Sequence, residues 1–255
     1  MEGKLQNHMI STVILYKNER KSLERCLKSL EWCSDVVIVQ DAQNAQSDLP
    51  ELRPGISVVR RLLQDNFSAQ RMFGMQQAKN DWVLFIDADE ELSPELCKVL
   101  DALVPDIKLA GYAIPRIDIF WGQKLLCGEV ESAAKQGIVR LVHKQKGVWE
   151  GVVHERFKPN GAIGRLHQVI FHYPHQNISE FMKDVNYYSS LRAKEVANRP
   201  VWQLFAELLL YPPSKFFYTY FVRLGFLDGA AGFVYSFMMS FHSFLVRAKA
   251  LTKTW

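Results

Sequence analysis

Cysteine is scarce in this 255-residue chain, and Cys26, Cys33, Cys97 and Cys127 form no CxxC pair. That spacing excludes a zinc knuckle and a disulfide framework, and leaves reduced thiols in a cytosolic compartment as the expectation. No Gly- and Arg/Lys-rich phosphate loop stands near the N-terminus, which counts against a nucleotidyltransferase, and there is no internal repeat or low-complexity segment. Nothing long and apolar precedes the first strand-like run, so no signal peptide is expected. The longest stretch without Lys, Arg, Asp or Glu, Gly229 to Val246, contains His242, three serines and two glycines. As a helix it would reach about 27 Å against a hydrocarbon core of about 30 Å, short for a membrane span.

What is present is enough apolar surface for a sizeable core, 48% of the residues, and a charge that is unevenly placed. From Arg199 onward six bases face only Glu207 and Asp228, which accounts for the whole net charge of +4. The same segment is crowded with Phe and Tyr. Basic and aromatic character together predict helices lying in the interface of an anionic membrane. The alternative is a helical pair packed on the chain's own core or on a second copy in a homo-oligomer. No nucleic-acid partner is expected.

Ile10 to Leu15, Val36 to Val39 and Ser57 to Val59 read as buried strands. Helices are predicted between them and after them, at Leu23, Cys26, Leu27, Leu30 and over Phe67 to Ala78. Strand, helix, strand without hairpin signals implies parallel pairing with right-handed crossovers. Ligands of open parallel sheets sit beyond the carboxyl ends of the strands, where Tyr16 to Glu19, Gln40-Asp41 and Asp87 to Glu90 fall. Ser93-Pro94-Glu95 predicts a helix start. Gly111 to Tyr173 breaks into short strand-like pieces, Ser179 to Asn198 reads as an amphipathic helix, and Pro200 separates it from the aromatic tail.

The richest motif is Asp87-Ala88-Asp89, which closes the apolar run Trp82 to Ile86 and is followed by Glu90 and Glu91. Continued strand alternation would aim both aspartates the same way, with small Ala88 leaving room for a ligand. Two hard oxygen ligands suit Mg²⁺ or Mn²⁺ carrying a diphosphate. A haloacid-dehalogenase-type phosphatase wants Thr or Val where Glu91 stands, which counts against that rival.

Other landmarks occur in a fixed order around it: Lys17-Asn18-Glu19, Gln70-Arg71, Asp81-Trp82, Trp149 to Glu155, and Gly225 to Gly229. Together with the acidic motif they resemble the family 2 glycosyltransferases of GT-A fold, most closely the bacterial lipopolysaccharide-core β-1,4-glucosyltransferases. The resemblance covers nearly the whole chain. It implies an α/β fold, Rossmann-like, with a mostly parallel sheet flanked by helices and a C-terminal amphipathic helical extension, divided as 1–178 and 179–255. It also implies inverting, metal-dependent transfer of glucose from UDP-glucose to a heptose of a lipid-linked core oligosaccharide, on the inner face of the cytoplasmic membrane. Rivals are a transferase using another nucleotide sugar and a peripheral membrane-binding module with a vestigial site.

On that reading Asp89 holds the metal, Asp87 joins it through water or binds the donor, and His154 completes the metal shell or contacts the phosphates. Tyr16, Asn18, Glu19 and Arg71 fall on the donor side, Arg71 adding positive charge near the phosphates. Gln40 stands where the family places an Asp for the nucleobase and Asp41 follows it, so either serves the base. Met72 replaces a common Asn. Glu155 or Glu150 is the general base, with Glu155 ahead because it follows a short strand-like piece. Arg140 and His172 are acceptor-side candidates.

Overall fold

The computed structural model describes residues 9–44, 49–64, 66–151, 155–175 and 177–253. In chain order the elements are β1 (Ile10–Tyr16), α1 (Arg20–Lys28), β2 (Val36–Asp41), β3 (Ile56–Arg61), α2 (Phe67–Gln77), β4 (Trp82–Asp87), β5 (Glu90–Leu92), α3 (Pro94–Ala102) and β6 (Leu109–Ile114). Then come β7 (Arg116–Phe120), β8 (Gln123–Leu125), α4 (Glu131–Gln136), β9 (Ile138–His143), β10 (Gly147–Glu150), β11 (Arg156–Pro159), β12 (Ala162–Arg165) and β13 (Ile170–His172). Three long helices follow: α5 (Ile178–Val196), α6 (Val201–Phe217) and α7 (Gly229–Thr252).

The central sheet has the order β12-β6-β9-β4-β1-β2-β3. The β3-β2-β1-β4 half is parallel, while β9 runs antiparallel to both β4 and β6. Its central strands are buried on both faces, so they read as continuous apolar runs instead of alternating ones. Ile14, Ile38, Leu84 and Ile86 face the side covered by Leu23 and Cys26 of α1 and Leu96 and Leu100 of α3. Val13, Val37, Val39, Val83 and Phe85 face the side covered by α2 and by Trp149 and Phe157 of the β10–β11 hairpin. This is the α/β arrangement, mostly parallel and flanked by helices, that the resemblance implies.

Local chemistry fixes the ends. The Ser93 hydroxyl accepts from the Leu96 amide at 3.2 Å with Pro94 in the first turn of α3, and Asn66 caps α2 through the Ala69 amide at 2.9 Å. Gly74 lets α2 lie close on the sheet, because a Cβ there would meet methyls of Val13 and Val39 at 2.5 and 2.7 Å.

The chain divides into two compact units, one formed by residues up to Arg116 with Gln136–His172, the other by Ile117–Lys135 with Tyr173 onward. The second thus joins a distant stretch, Ile117–Lys135, to the segment from Tyr173 onward. In it β7 and β8 form a hairpin whose two-residue turn, Trp121-Gly122, has φ of 51° and 71°. Phe120, Phe181, Val185, Ala231 and Met238 make one core cluster, and Leu204, Val246 and Ala250 contribute to another. The stretch Gly225–Thr252 is long and apolar enough by length and composition to cross a membrane, while α7 buries Ala231, Gly232, Ser236 and Ser240 within the unit. Cys26, Cys33, Cys97 and Cys127 are all free thiols.

Candidate active site

Strand β4 ends at Asp87, and Ala88-Asp89 is a turn before β5. Alternation therefore stops at Asp87, and the two aspartates have different partners. Asp87 is pinned from two sides: its Oδ1 accepts from Arg71 Nη2 at 2.9 Å and its Oδ2 from Arg140 Nη2 at 2.7 Å. Asp89 instead lies 3.3 Å from His172 Nε2 and is more than a third exposed. Partial desolvation and the Asp89 charge both push the Glu19 pKa up, so the end of β1 and the end of β4 share one acidic mouth.

Arg71 is buried at 3% exposure on the sheet-facing side of α2. Its guanidinium stacks over the rings of Trp149, 4.9 Å from the centroid, and Phe85, 5.7 Å away. Besides Asp87 it donates from Nε and Nη2 to Glu155 Oε1, at 2.9 and 2.8 Å. Its Nη1 is buried without a partner among the described residues, and Glu155 has no second hydrogen-bond partner among them. A hydrogen bond from the Ser68 hydroxyl to the Gly151 carbonyl ties the start of α2 to the loop that carries Glu155.

Burial alone would raise the Asp87 pKa, but Arg140 and Arg71 outweigh it and hold the carboxyl far below the usual range. Glu90 is wholly buried. Its Oε2 accepts from the Asp87 amide at 2.9 Å and its Oε1 from Arg140 Nη2 at 2.6 Å, with Arg116 Nη1 at 3.7 Å. Desolvation raises its pKa despite those arginines.

The residues expected from the sequence fall into three groups. Arg71, Asp87 and Glu155 form one hydrogen-bonded cluster, and Asp89, His172 and Glu19 lie at the mouth. Arg140, expected on the acceptor side, is 4% exposed and spends its guanidinium on Asp87 and Glu90. Glu150 stands apart, exposed on the β10–β11 hairpin and paired with Lys158 at 3.3 Å. Gln40 is fully buried and accepts from Arg60 Nε at 3.1 Å, while Asp41 accepts from the amides of Leu63 and Gln43. Tyr16 is buried in the core and Asn18 is exposed beyond β1. His154 lies outside the described residues. Sequence reasoning named Glu90 only as part of the acidic motif and did not single out Arg116, a base just ahead of the apolar piece Ile117 to Phe120.

The donor chemistry of Asp89, a carboxylate at an open strand end, fits a hard divalent cation. Asp87 is different, since both of its oxygens are engaged by arginines. Among the described residues no three His, Cys, Asp or Glu side chains gather as a ligand set.

Residues 11–146 match the family model described as Glycosyl transferase family 2. The lipopolysaccharide core biosynthesis glycosyltransferase LpsC of Rhizobium meliloti is 26% identical over 94% of this chain and 91% of its own length. An uncharacterized glycosyltransferase of Rickettsia typhi is 28% identical, over 94% of this chain and 86% of its own. Among solved structures, S. aureus TarS 1-349 in complex with UDP-GlcNAc superposes with a TM-score of 0.45 at 13% identity, covering 95% of this chain and 83% of that one.

Proposed function

The chain belongs to glycosyl transferase family 2, and from that premise we propose that it is an inverting hexosyltransferase carrying glucose from UDP-glucose to a heptose of a lipid-linked lipopolysaccharide inner core. The relative named for lipopolysaccharide core biosynthesis, similar along nearly its whole length, supports the acceptor class. The choice of glucose, of uridine and of a heptose rests on what the family resemblance carried by the sequence motifs implies.

The observation that carries the reading is the single guanidinium of Arg71 shared between Asp87, at the end of β4, and Glu155. Transfer requires an acceptor oxygen to attack the anomeric carbon, the bond from that carbon to the diphosphate to break, and the hydroxyl proton to leave. Glu155 takes the proton, through the oxygen that Arg71 does not hold. Arg71, whose buried Nη1 has no partner among the described residues, offsets the negative charge that grows on the leaving diphosphate. Its stack on Trp149 and Phe85 keeps it in place and keeps water from its faces. Mg²⁺ or Mn²⁺ is assigned to Asp89, where it would add positive charge beside the leaving group.

Docking on the cytoplasmic face of a membrane completes the proposal. Its support is the α6 face carrying Val201, Trp202, Phe205, Leu209, Leu210 and Phe217, all exposed and without a charge. The bases of the tail contribute less than their number suggests. Arg199 and Arg247 pair with Glu207, Lys215 with Glu129, Arg223 with Glu131, and Lys249 donates to the Asn186 carbonyl.

The deciding experiment offers a panel of radiolabelled nucleotide sugars with truncated lipopolysaccharide cores. Incorporation from UDP-glucose into a heptose-terminated core is the expected result, and transfer from another donor only would replace the sugar. If UDP raises the melting temperature only when Mn²⁺ or Mg²⁺ is present, the cation assignment stands.

A further inference from the structure

Behind Arg71 and Glu155 a chain of alternating charges continues inward, and no step of the transfer uses its inner members, Arg116, Glu90 and Arg140, directly. It runs Arg116, Glu90, Arg140, Asp87, Arg71, Glu155, with contacts of 3.7, 2.6, 2.7, 2.9 and 2.8 Å in that order. Antiparallel pairing of β9 to β4, with Leu141 opposite Leu84, brings Arg140 alongside the C-terminal half of β4. One nitrogen, Nη2, then bonds both Asp87 and Glu90. Glu90 in turn accepts the Asp87 backbone amide, so side chain and main chain of Asp87 are held by one buried pair.

Two features mark this pair as more than filling. An ionised Glu90 and Arg140, at 0% and 4% exposure, carry a desolvation cost that an apolar pair of similar volume would avoid. Arg140 also leaves its Nε buried and without a partner among the described residues. The side chain is thus placed for the two carboxylates at the expense of its own hydrogen bonding. Its burial keeps it from substrate, so any effect on the reaction passes through Asp87.

We propose that Arg140 is a positioning residue for the transfer: anchored by Glu90, it fixes the plane of the Asp87 carboxylate and through it the place of Arg71 beside Glu155. The proposal rests on the reading of Arg71 and Glu155 as donor-side and base groups. Arg140→Lys keeps the charge but shortens the reach, so the ammonium falls short of the point where Nη2 meets both carboxylates. Asp87 then turns, and Arg71 follows it. A misplacement of this kind reads out in the transition state, where a shift near 1 Å costs up to about 100-fold.

The test compares wild type, Arg140→Lys and the charge-balanced double variant Glu90→Gln with Arg140→Met. Melting curves, UDP titration by tryptophan fluorescence, and kcat with KM for the donor and acceptor identified by the panel are measured for each, well below each melting temperature. The expected result is cooperative melting, a UDP Kd within about threefold of wild type, an unchanged acceptor KM and a kcat lowered roughly 10–100-fold in both variants. Should Arg140→Lys fail to fold, the double variant decides. A folded variant with wild-type kcat overturns the proposal and leaves Arg140 a structural ion pair. A wild-type protein that neither binds UDP nor transfers from any nucleotide sugar overturns the reading of the site, and the proposal with it.

Discussion

Arg71 and Glu155 are 84 residues apart in the chain and 2.8 Å apart in space. Helix α2 supplies the one and the loop before β11 supplies the other, and the same guanidinium reaches Asp87. Such a shared arginine sets the first expectation. Glu155→Gln preserves size and a hydrogen-bond acceptor but cannot take a proton, so kcat should fall by roughly 10²–10⁴-fold with donor affinity little changed. Glu150→Gln, on the exposed hairpin, should turn over like wild type. Steady-state kinetics on the two variants decide it: the reverse pattern exchanges the roles.

A second expectation concerns how α2 is seated. Adding a methyl at Gly74 drives it into Val13 and Val39, two fully buried strand residues that have no room to retreat. Gly74→Ala should therefore destabilise the fold by about 1–3 kcal/mol, although alanine is the better helix former. Because Arg71 lies one turn earlier on the same buried face, turnover should drop along with the melting temperature. A variant as stable as wild type in urea would mean that α2 rides higher on the sheet than the structure has it.

Much of this architecture was legible in the sequence because its signals are local. The buried strands announce themselves as β-branched runs, and Ser93-Pro94 marks the start of α3. The division of labour between the two aspartates was not legible, since a period of two holds only while the strand continues, and the strand ends at Asp87. The partners of Arg140 were not legible locally either: they depend on β9 running beside β4, a relation between distant segments. The tail shows the same limit. Counting its bases suggested a free positive surface, whereas Lys215 and Arg223 pair with Glu129 and Glu131, 86 and 92 residues away. Those acids belong to the stretch, Ile117–Lys135, that joins the C-terminal unit, so no linear boundary could have included them.

The third expectation is a pH dependence of stability with a defined sign. His143 is 5% exposed, its ring stands edge-on to Trp82 at 5.2 Å, and its Nδ1 accepts from the Gln145 amide at 3.3 Å, all of which suit the neutral imidazole. Burial, and then the charge of Lys146, lowers its pKa below the usual value of about 6.5. The unfolded chain therefore binds this proton more readily. Its contribution is fully present above about pH 6.5 and is lost as the pH falls through the lowered folded-state value. In urea unfolding from pH 5 to 8, the difference between wild type and His143→Phe should be flat above pH 7 and shift against wild type below 6.5. A difference that is constant throughout would show that His143 does not titrate on unfolding.

The last expectation separates the two forces that could hold the protein on a membrane. If the tail acted through its bases, binding would fall with salt, because charges separated by more than about 8 Å are screened at physiological ionic strength. Five of those bases are already engaged inside their own unit, by Glu207, Glu129, Glu131 and the Asn186 carbonyl. The α6 face is the stronger contributor, since Trp202, Phe205 and Leu209 are 75%, 56% and 59% exposed and each large apolar side chain buried contributes on the order of 1.5–3 kcal/mol. Flotation with vesicles of neutral lipid, and of the same lipid doped with an anionic one, should then show binding to both, with anionic lipid adding a modest increment. Raising the salt to 1 M should remove that increment and leave the rest. Trp202→Ser with Phe205→Ser should abolish flotation without lowering the melting temperature, because these side chains pack on little of the protein itself. Full release by salt would return the tail to the electrostatic mode, and no flotation of the well-folded wild type would leave the α6 face to a second copy of the chain.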